Sequence, residues 1–511
     1  MLAKIDTCTL NGIDGEKVEC ESDISNGLPS FSIVGLPDAA VKESKDRIRA
    51  AVNNSGFVFP VKRITVNLSP ASTRKIGTHF DLPIASGIIA ASKRIPCCKF
   101  NGVAILGELS LDGRVNRING LLPMLIALKQ LGVKKAIVPF DNLDEAKYIK
   151  EIKIFPARHL AEVIEFIEDE ETMEAMSNSD NMDSEKTISY DCDFGEVYGQ
   201  ENAKRAMEIS AAGNHNLLMI GPPGSGKTML AKRYPSILPL LDESQALEVT
   251  KIYSIAGLMK KRSIILERPF RSPHHTLSSV SLTGGGNNPR PGEISLANHG
   301  VLYLDELPEF SRKALEALRQ PLEDRTVTIT RVNSTVTYPS DFVLLASMNP
   351  CPCGYYGDSH HECKCSIGDI RRYMGRISGP ILDRMDMHIE VPSVAFDELN
   401  GDNKHFRSSE EIRESVINAR KRQKNRFSNA KISTNSEMDN RQIKRYCNLN
   451  EESKSLLKTA FTKMGLSARS YNKIIKVART ISDIEGRESI ETNHLMEALS
   501  YRNLETKYWN L

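Results

Sequence analysis

Apolar runs and amphipathic stretches alternate along the first third of the chain. Runs of strand length, rich in branched apolar residues, fall at residues 31–34, 63–68, 103–106 and 135–138. Apolar positions three and four apart, as on one face of a helix, fall at residues 39–53, 82–92 and 121–131. Because strands and helices alternate in this way, residues 1–165 are predicted to form an α/β or α+β domain.

Polarity changes after this block. Between residues 161 and 193 there are twelve acidic residues and one basic residue, with Ser, Asn and Met among them. Such a stretch has too little apolar surface to build a core. We therefore predict an acidic linker over residues 166–190, whose start could extend the preceding helix. An acidic segment that binds a partner is the alternative.

The rest of the chain divides into two further blocks. In residues 191–395, continuous apolar runs typical of a parallel sheet covered by helices lie at 217–220, 301–304 and 342–346. In residues 396–511, helical spacing dominates, at 409–427, 450–466, 470–484 and 492–501. We predict an α/β core followed by a helical C-terminal domain.

Composition narrows the class of protein. A chain of 511 residues is too long for one core, and about two to four domains are expected. The net charge is only +2, so any nucleic-acid site must be local. No apolar run reaches the ~18 residues of a membrane span, and the first residues do not resemble a secretion signal. We expect a cytoplasmic protein without a membrane partner, in a compartment that keeps cysteines reduced.

A glycine-rich loop follows the apolar run at 217–220. It fits a phosphate-binding pattern at every fixed position and reads Gly221, Pro222, Pro223, Gly224, Ser225, Gly226, Lys227, Thr228. Glycines let backbone N–H groups point at phosphate oxygens, and the helix that follows adds partial positive charge. Lys227 would contact the β- and γ-phosphates, and Thr228 would hold Mg²⁺. The loop predicts an ATP site.

Polar residues end the next two strands of the predicted sheet. Asp305 can complete the Mg²⁺ shell, and Glu306 can polarise the attacking water. Capping of the following helix is the alternative role for this pair. Asn349, just past the run at 342–346, would orient the water or sense the γ-phosphate, although such a residue alone is usually part of a turn. Together with the glycine loop, these residues predict an ATPase.

Four cysteines form two close pairs. They are Cys351, Cys353, Cys363 and Cys365. Four thiolates suit tetrahedral Zn²⁺, although the one-residue spacing within each pair is less common than two. Free thiols are the alternative, and His360 or His361 could replace one thiol.

Three arginine-bearing segments complete the candidates. Residues 324–338 alternate β-branched and polar positions around a four-residue turn at Arg331, which predicts a hairpin. Arg384 could reach the γ-phosphate of a neighbouring subunit; from the residues alone, a local ion pair with Asp383 or Asp386 is favoured. Residues 420–426 hold five cations, which could meet phosphates or form a solvated stripe.

The order of these motifs resembles the AAA+ ATPases of the magnesium-chelatase-like group, and over the whole chain the ComM/YifB family of bacterial proteins. The stretches that carry the resemblance are 194–200, 270–276, 291–300 and 349–354. It implies an AAA+ phosphate-loop core with a helical C-terminal lid, assembled as a hexamer. Arg384 would be the arginine finger acting in trans, and Arg469 the second sensor, on the same side as Lys227.

The same resemblance implies a function. It implies ATP-driven branch migration of DNA during uptake and recombination. Single-stranded or branched DNA would be the partner, with recombination proteins as possible further partners. The hairpin resembles the pre-sensor hairpin of MCM-type helicases, where Arg331 would contact DNA; an ordinary solvated hairpin is the alternative. His274 and His275 would lie in an insertion near the pore, with a structural role rather than a metal.

The N-terminal block resembles the Lon-protease-like fold, which is similar to the second domain of ribosomal protein S5. Residues 81–85 lie where the peptidases carry Asp-Gly-Pro-Ser-Ala, and Ile84 stands at the serine position. Residues 120–124 have no lysine where the base would be. Because aliphatic side chains cannot attack or transfer protons, this domain is predicted to be catalytically inactive.

Two other functions stay open at this point. A chelatase-type metal-insertion ATPase subunit shares the same core. A nucleotide-switched scaffold or chaperone would bind ATP without moving DNA. Turnover stimulated by DNA would distinguish a motor from a scaffold, and a metal-insertion assay would test the chelatase.

Overall fold

The computed structural model describes residues 2–93, 95–176, 190, 192–259, 264–286, 289–331, 334–358, 361–393, 407–428, 430, 432–464 and 466–509. Within these ranges, no helix combines the length and the apolar content that crossing a bilayer requires.

A mixed seven-stranded sheet organises the N-terminal block. Its strands, in spatial order, are β3 (Ser30–Val34), β4 (Arg63–Ser69), β2 (Asp14–Ser25), β1 (Leu2–Asn11), β5 (Val103–Ile105), β8 (Lys135–Pro139) and β9 (Lys153–Ala157). The pairs β1–β2 and β2–β4 are antiparallel, and the other neighbours are parallel. A small separate hairpin joins β6 (Glu108–Leu109) to β7 (Val115–Asn116).

Helices cover both faces of this sheet. They are α1 (Ala39–Asn54), α2 (Asp81–Lys93), α3 (Leu121–Gln130), α4 (Leu143–Ala146) and α5 (Leu160–Glu168). Along β5, Val103 and Ile105 belong to the apolar cluster under α1, α2 and α5, whereas Ala104 belongs to the cluster under α3. Because neighbouring strand residues point to opposite faces, the block has two cores, one on each side of its sheet.

The central block contains a five-stranded parallel sheet, as predicted from its apolar runs. In spatial order the strands are β11 (Phe270–Arg271), β14 (Val301–Leu304), β17 (Val343–Met348), β10 (Leu217–Ile220) and β18 (Met387–Glu390). Two antiparallel pairs lie outside it: β12 (Gly284–Gly285) with β13 (Arg290–Pro291), and β15 (Thr326–Arg331) with β16 (Ser334–Pro339).

The helices of this block are mostly short. They are α6 (Glu201–Gly213), α7 (Lys227–Arg233), α8 (Glu243–Ile255), α9 (Ser279–Thr283), α10 (Glu293–Leu296), α11 (Arg312–Ala317), α12 (Arg319–Asp324), α13 (Ile367–Met374) and α14 (Gly379–Leu382). Single 3₁₀ turns lie at Phe194–Glu196, Tyr234–Ile237 and Leu307–Glu309 in this block, and at Thr78–Phe80, Cys97–Phe100, Phe140–Asn142, Glu170–Thr172 and Asn435–Glu437 elsewhere.

The C-terminal block is helical, as predicted. Its helices are Ser409–Arg426, Asn440–Tyr446, Glu451–Met464, Ala468–Ile484, Thr492–Ser500 and Leu504–Trp509. Leu217 and Met219 of β10 share one apolar cluster with these helices, whereas Leu218 and Ile220 belong to the cluster on the opposite face. The helices Ser409–Arg426 and Ala468–Ile484 pack on α6, which in turn lies against β10 and β18 on this face of the central sheet.

Candidate functional site

The glycine-rich loop leaves the carboxyl end of the buried strand β10 and enters α7 at Lys227. A Cβ at Gly221 would lie 2.1 Å from the carbonyl oxygen of Val391, so this position requires glycine. Gly224 and Gly226 have φ angles of 77° and 90°, the left-handed conformation that glycine adopts without strain. The loop geometry matches the requirement for backbone N–H groups to wrap around an anion.

Lys227 is held inside the loop. Its Nζ donates to the carbonyl oxygens of Gly221 and Pro222 at 2.7 Å each, and lies 3.4 Å from Oδ1 of Asn349. Burial lowers the pKa of Lys227 to about 8, although Asp305 opposes this shift. A phosphate that approached this ammonium group would favour its charged form.

Asp305 is surrounded by hydroxyl groups. Thr228 Oγ1 donates to its Oδ2 at 2.7 Å, and Ser347 Oγ donates to its Oδ1 at 2.5 Å. Tyr303 in turn shares a hydrogen bond of 2.8 Å with Ser347. Burial opposes ionisation of Asp305, but these hydrogen bonds outweigh it and hold its pKa below the usual value. The hydroxyl of Thr228 and the carboxylate of Asp305 are hard oxygen ligands of the kind that Mg²⁺ prefers.

Glu306 adopts a left-handed backbone conformation, with φ of 54°, that non-glycine residues rarely occupy. Its N–H donates to Asp305 Oδ1 at 3.0 Å, and its carboxylate Oε2 lies 3.3 Å from Nδ1 of His275. The side chain is 56% exposed and lines a cleft of about 560 Å³ together with Asn349. The predicted residues Lys227, Asp305, Glu306 and Asn349 thus lie together at the carboxyl edge of the sheet.

Sequence reasoning did not identify several residues of this region. Ser347 and Tyr303 have no motif of their own, and their position near strand ends was the only available signal. The cleft also contains three cations, at Lys364, Arg372 and Arg376. The ring of His275, for which a structural role was expected, contacts the carboxylate of Glu306.

The four cysteines converge beside the phosphate-binding loop. All four Sγ atoms lie within 4.8 Å of one another, and three of the separations are 3.3, 3.7 and 3.6 Å. A tetrahedral Zn²⁺ with Zn–S bonds of about 2.3 Å requires sulfurs roughly 3.8 Å apart, so the cluster fits this metal. Gly354 packs so closely on Pro223 that a Cβ there would lie 2.5 Å from its ring. Of the two histidines that could replace a thiol, His361 has its Nδ1 3.2 Å from Oδ2 of Asp358, and His360 lies outside the described residues.

Arg384 and Arg469 lie at the opposite edge of the sheet. Asn216, which precedes β10, donates to the carbonyl oxygen of Arg384 at 3.0 Å. Arg384 Nη2 is 2.6 Å from Glu323 Oε1, and Arg469 Nη2 is 3.8 Å from the same atom. A strand of four residues separates this edge from the glycine loop by roughly 13 Å.

This arrangement corrects one expectation. Arg469 was expected on the same side as Lys227, but the structure places it with Arg384, because the helix that carries it packs at the amino ends of β10 and β17. The guanidinium of Arg384 also donates to the carbonyl oxygens of Arg319 and Pro380, at 3.1 and 2.6 Å. The local partner of Arg384 is therefore Glu323, rather than Asp383 or Asp386.

The predicted hairpin forms as β15 and β16, and Arg331 pairs with Ser334 at its end. The side chain of Arg331 and residues 332–333 lie outside the described part of the chain. Val336 packs against Gly12, which lies in the turn between β1 and β2. A Cβ added at Gly12 would lie 2.8 Å from Cγ1 of Val336. The hairpin thus contacts the N-terminal block.

The cations of 420–426 are partly turned inward. Arg420 donates to the carbonyl oxygen of Ala211 at 2.7 Å, and Arg422 donates to that of Asp483 at 2.7 Å. Arg426 pairs with the carboxylate of Asp483. At least these three side chains tie helices together, which favours a structural role over a phosphate-binding stripe.

The position predicted to correspond to the peptidase nucleophile is not accessible to solvent. Ile84 lies on α2 and is fully buried, and Oδ2 of Asp81 lies 2.6 Å from Nε of Arg47. Burial raises the pKa of Asp81 to about 6 against the opposing effect of Arg47. Leu122 and Met124, in the stretch without lysine, belong to the other core of the block.

Comparison with known proteins identifies the family. Residues 193–399 match the family described as magnesium chelatase, subunit ChlI, and residues 20–142 and 407–502 match the families of subunit ChlI of Mg-chelatase and of its C-terminal region. The chain is 41% identical over 496 residues to competence protein ComM of Haemophilus influenzae, covering 96% of this chain and 95% of that protein. It is 40% identical over 504 residues to YifB of Salmonella typhimurium, covering 99% and 97%.

A third similarity concerns a shorter part of the chain. A Lon protease of Trichlorobacter lovleyi is 26% identical over 164 residues, which is 30% of this chain and 20% of that protein. This partial similarity agrees with the resemblance of the N-terminal block to the Lon-protease-like fold. The near full-length identities and the matched domains together show that this chain belongs to the ComM/YifB family of magnesium-chelatase-like AAA+ proteins.

Proposed function

We propose that this chain is an ATPase that works as a homo-hexameric ring and moves single-stranded or branched DNA. The observation that best supports this is the separation of Lys227 and Glu306, at the carboxyl edge of the sheet, from Arg384 and Arg469, at the amino edge. A complete ATP site then needs two copies, each offering one edge. Repeated head-to-tail contacts of this kind close into a ring.

Within this site the loop residues bind ATP and Mg²⁺. Lys227 contacts the phosphates, and Thr228 with Asp305 holds Mg²⁺. Glu306 polarises the attacking water, and Asn349 orients it. The 2.7 Å contact between Thr228 and Asp305 supports their sharing of one ion.

Both arginines act on the ATP of the neighbouring subunit. Arg384 stabilises the charge that develops on the transferred phosphoryl group, and Arg469 serves as the second sensor. Their common partner Glu323 supports a joint role, because one carboxylate holds both cations at the same edge. In this proposal Arg469 senses the ATP bound by the neighbouring subunit, whereas the sequence predicted that it would act on the ATP of its own subunit.

The DNA substrate is proposed from the family and from the hairpin. Arg331 at the end of β15 would contact the backbone of DNA in the pore. The name of the Haemophilus relative, a competence protein, supports branch migration during recombination of incoming DNA. We place this activity in the cytoplasm, with recombination proteins as partners.

The domain assignment completes the proposal. Residues 1–165 form a catalytically inactive Lon-protease-like domain, 166–190 the linker, 191–395 the AAA+ core, and 396–511 the lid. The Lon similarity and the sealed position of Ile84 support the first assignment. The cysteine cluster would bind structural Zn²⁺ and brace the loop at Pro223.

The zinc assignment is tested by metal analysis. Freshly purified protein should hold about one zinc per chain, and Cys351→Ser with Cys353→Ser should lose it, because two thiolates cannot complete a tetrahedral site. Cys192→Ser, outside the cluster, should keep the metal. Freshly prepared parent protein without zinc would refute this assignment.

The motor is tested by measuring ATP turnover with single-stranded, duplex and four-way-junction DNA, alongside movement of a labelled junction. Arg331→Ala should slow junction movement while basal turnover persists. Salt dependence of DNA binding should flatten by about one unit of slope per lost contact. Thr328→Ala, exposed on the same hairpin, is the matched control. If Arg331→Ala moves junctions as fast as the parent, the DNA contact lies elsewhere.

One alternative function is favoured by a specific observation. The match of residues 193–399 to a magnesium chelatase subunit supports a metal-insertion ATPase. Insertion of Mg²⁺ into a porphyrin in the presence of this chain, without stimulation by DNA, would favour that alternative.

A further inference from the structure

Arg384, the proposed arginine finger, is held away from solvent in this structure. Its side chain is only 9% exposed, and its Nη2 lies 2.6 Å from Oε1 of Glu323. Its Nε and Nη1 donate to the carbonyl oxygens of Arg319 and Pro380. Glu323 is 50% exposed, so the surface presents the carboxylate of this pair rather than the guanidinium.

A γ-phosphate of a neighbouring subunit and Glu323 therefore compete for the same cation. Both are anions, and a carboxylate that stays beside Arg384 repels the phosphate as the two subunits approach. Glu323 has to leave Arg384 before the guanidinium can contact the phosphate, and a charge-assisted hydrogen bond is then lost. A cation on the neighbouring subunit that accepts the carboxylate offsets this loss.

Three cations line the cleft of about 560 Å³ at the ATP site, and two of them are already paired. Nη1 of Arg372 lies 3.4 Å from Oδ1 of Asp369. Nη1 of Arg376 lies 2.8 Å from Oε1 of Glu309. Lys364 is exposed, and it is the cation of this cleft that forms no ion pair with any residue the structure describes. It is therefore the best placed of the three to bind a carboxylate from another chain.

The cysteine cluster determines where Lys364 lies. Lys364 stands between Cys363 and Cys365, whose Sγ atoms lie within 4.8 Å of those of the other two cysteines. The same cluster packs on the phosphate-binding loop through Gly354 and Pro223. Lys364 is thus attached to the loop proposed to bind the phosphates, which the edge of the neighbouring subunit has to approach.

We propose that Lys364 of one subunit binds Glu323 of its neighbour and so releases Arg384 toward the ATP between them. This inference rests on the proposed head-to-tail ring and names a contact between its subunits. Within one chain, Lys364 and Glu323 lie at opposite edges of the central sheet, so the pair forms between two copies. Glu323 is a positioning residue, which holds Arg384 in the free subunit and moves to Lys364 at the interface.

The first experiment measures ATP turnover at saturating ATP. Lys364→Gln should reduce turnover about tenfold or more, as expected for loss of one hydrogen bond between charged groups, because Glu323 then stays on Arg384. Glu323→Gln added to Lys364→Gln should restore most of the turnover, because no carboxylate is left to hold Arg384. Lys364→Arg, which keeps the charge, should retain most of the turnover. Arg372→Gln, in the same cleft, is the matched control and should also retain it.

A second experiment tests the contact itself. A carbodiimide joins a carboxylate to an amine in contact with it by forming an amide. Rings assembled from isotope-labelled and unlabelled parent chains, with a non-hydrolysable ATP analogue, should yield a cross-link of Glu323 to Lys364 between the two isotopic forms. Lys364→Arg should abolish this cross-link while its turnover persists, because a guanidinium does not form the amide.

The outcomes separate this inference from the function on which it rests. If Glu323→Gln does not restore the turnover of Lys364→Gln, Lys364 only maintains the cysteine loop. Parent rings without the cross-link would mean that Glu323 has another acceptor. Either result overturns the inference alone, whereas a parent chain that forms no ring with ATP and Mg²⁺ would overturn the proposed function and this inference together.

Discussion

The N-terminal block, which is similar in part to a Lon protease, and the central block differ in where the side chains of their candidate sites lie. In the N-terminal block, Ile84 is buried in a core at the nucleophile position, and Asp81 is neutralised by Arg47. In the ATPase core, Glu306 and Asn349 face a cleft of about 560 Å³. The comparison shows that the candidate polar groups of the central block are accessible to a ligand, whereas the compared positions of the N-terminal block are packed in its core.

The contrast extends to two histidines. Burial lowers the pKa of His79 in the N-terminal block to about 4, and its Nε2 lies 2.9 Å from the carbonyl oxygen of Cys8. Burial would also lower the pKa of His299 in the ATPase core, but Asp341 and Glu248 raise it to about 9. One histidine is thus held neutral by an apolar core, and the other is held charged between two carboxylates.

The largest expected effect comes from Arg384→Ala. Turnover should fall by about 10³-fold or more while nucleotide binding persists, because charge stabilisation is lost and the loop is intact. Mixing Arg384→Ala with Glu306→Gln subunits should restore part of the activity, since each supplies what the other lacks at a shared interface. ATPase assays of mixed rings check this, and a lack of complementation would place Arg384 in its own subunit's chemistry.

Glu306→Gln should have the next largest effect. Turnover should fall by about 10²- to 10⁴-fold, because an amide cannot accept the proton of the attacking water. ATP binding should persist because Lys227, Thr228 and Asp305 are unchanged, whereas Lys227→Ala should weaken binding itself. Nucleotide binding and single-turnover hydrolysis measure the two effects separately. Normal turnover by the glutamine variant would refute the assigned role.

Ile84→Ser places a hydroxyl at the predicted nucleophile position and tests whether this buried position can support peptidase activity. No peptidase activity should appear, because no base accompanies the serine. The free energy of unfolding should fall by about 3–5 kcal/mol, from the cavity and the buried hydroxyl. Unfolding by urea and a protein-cleavage assay check both parts, with the milder Ile84→Val as the control. Cleavage by the parent chain that a change within residues 1–165 abolishes would contradict the inactive assignment.

Strong apolar periodicity explains which elements could be predicted. The runs at 217–220 and 301–304 became β10 and β14 with the same bounds. In contrast, β1 and β2 were not predicted, because their inward positions include Ala3, Thr7 and Ser22, which are weakly apolar or polar. Alternation of small and polar residues is not distinguishable from an irregular segment until the neighbouring strands bury it.

Among the candidate site residues, those in local motifs could also be predicted, whereas those placed by long-range packing could not. Lys227, Thr228, Asp305 and Glu306 could be named because their chemistry depends on local sequence order. The position of Arg469 near Glu323 could not be predicted, because it depends on how the C-terminal helices pack against the central block. Contacts between distant segments have no local sequence signal, and the same reason hid the pairing of His275 with Glu306.

The smallest expected effect concerns pH and the charged histidine of the ATPase core. His299 Nε2 lies 2.5 Å from Glu248, and its Nδ1 lies 3.4 Å from Asp341. Its pKa is raised from 6.5 to about 9 in the folded protein, so its stabilising charge is fully present below pH 6.5 and is lost as pH rises through 9. The shift corresponds to about 3 kcal/mol at most.

His299→Gln should therefore remove the part of the stability that declines between these pH values. Amide exchange in Val301–Leu304, corrected for the intrinsic rate at each pH, measures the local free energy of opening. The parent should lose protection between pH 6.5 and 9 relative to the variant. His79→Gln is the control from the other region: because the pKa of His79 is lowered to about 4, its effect should appear only as pH falls below 6.5. If parent and His299→Gln lose protection in parallel up to pH 9, His299 is not held charged, and the contrast between the two histidines fails.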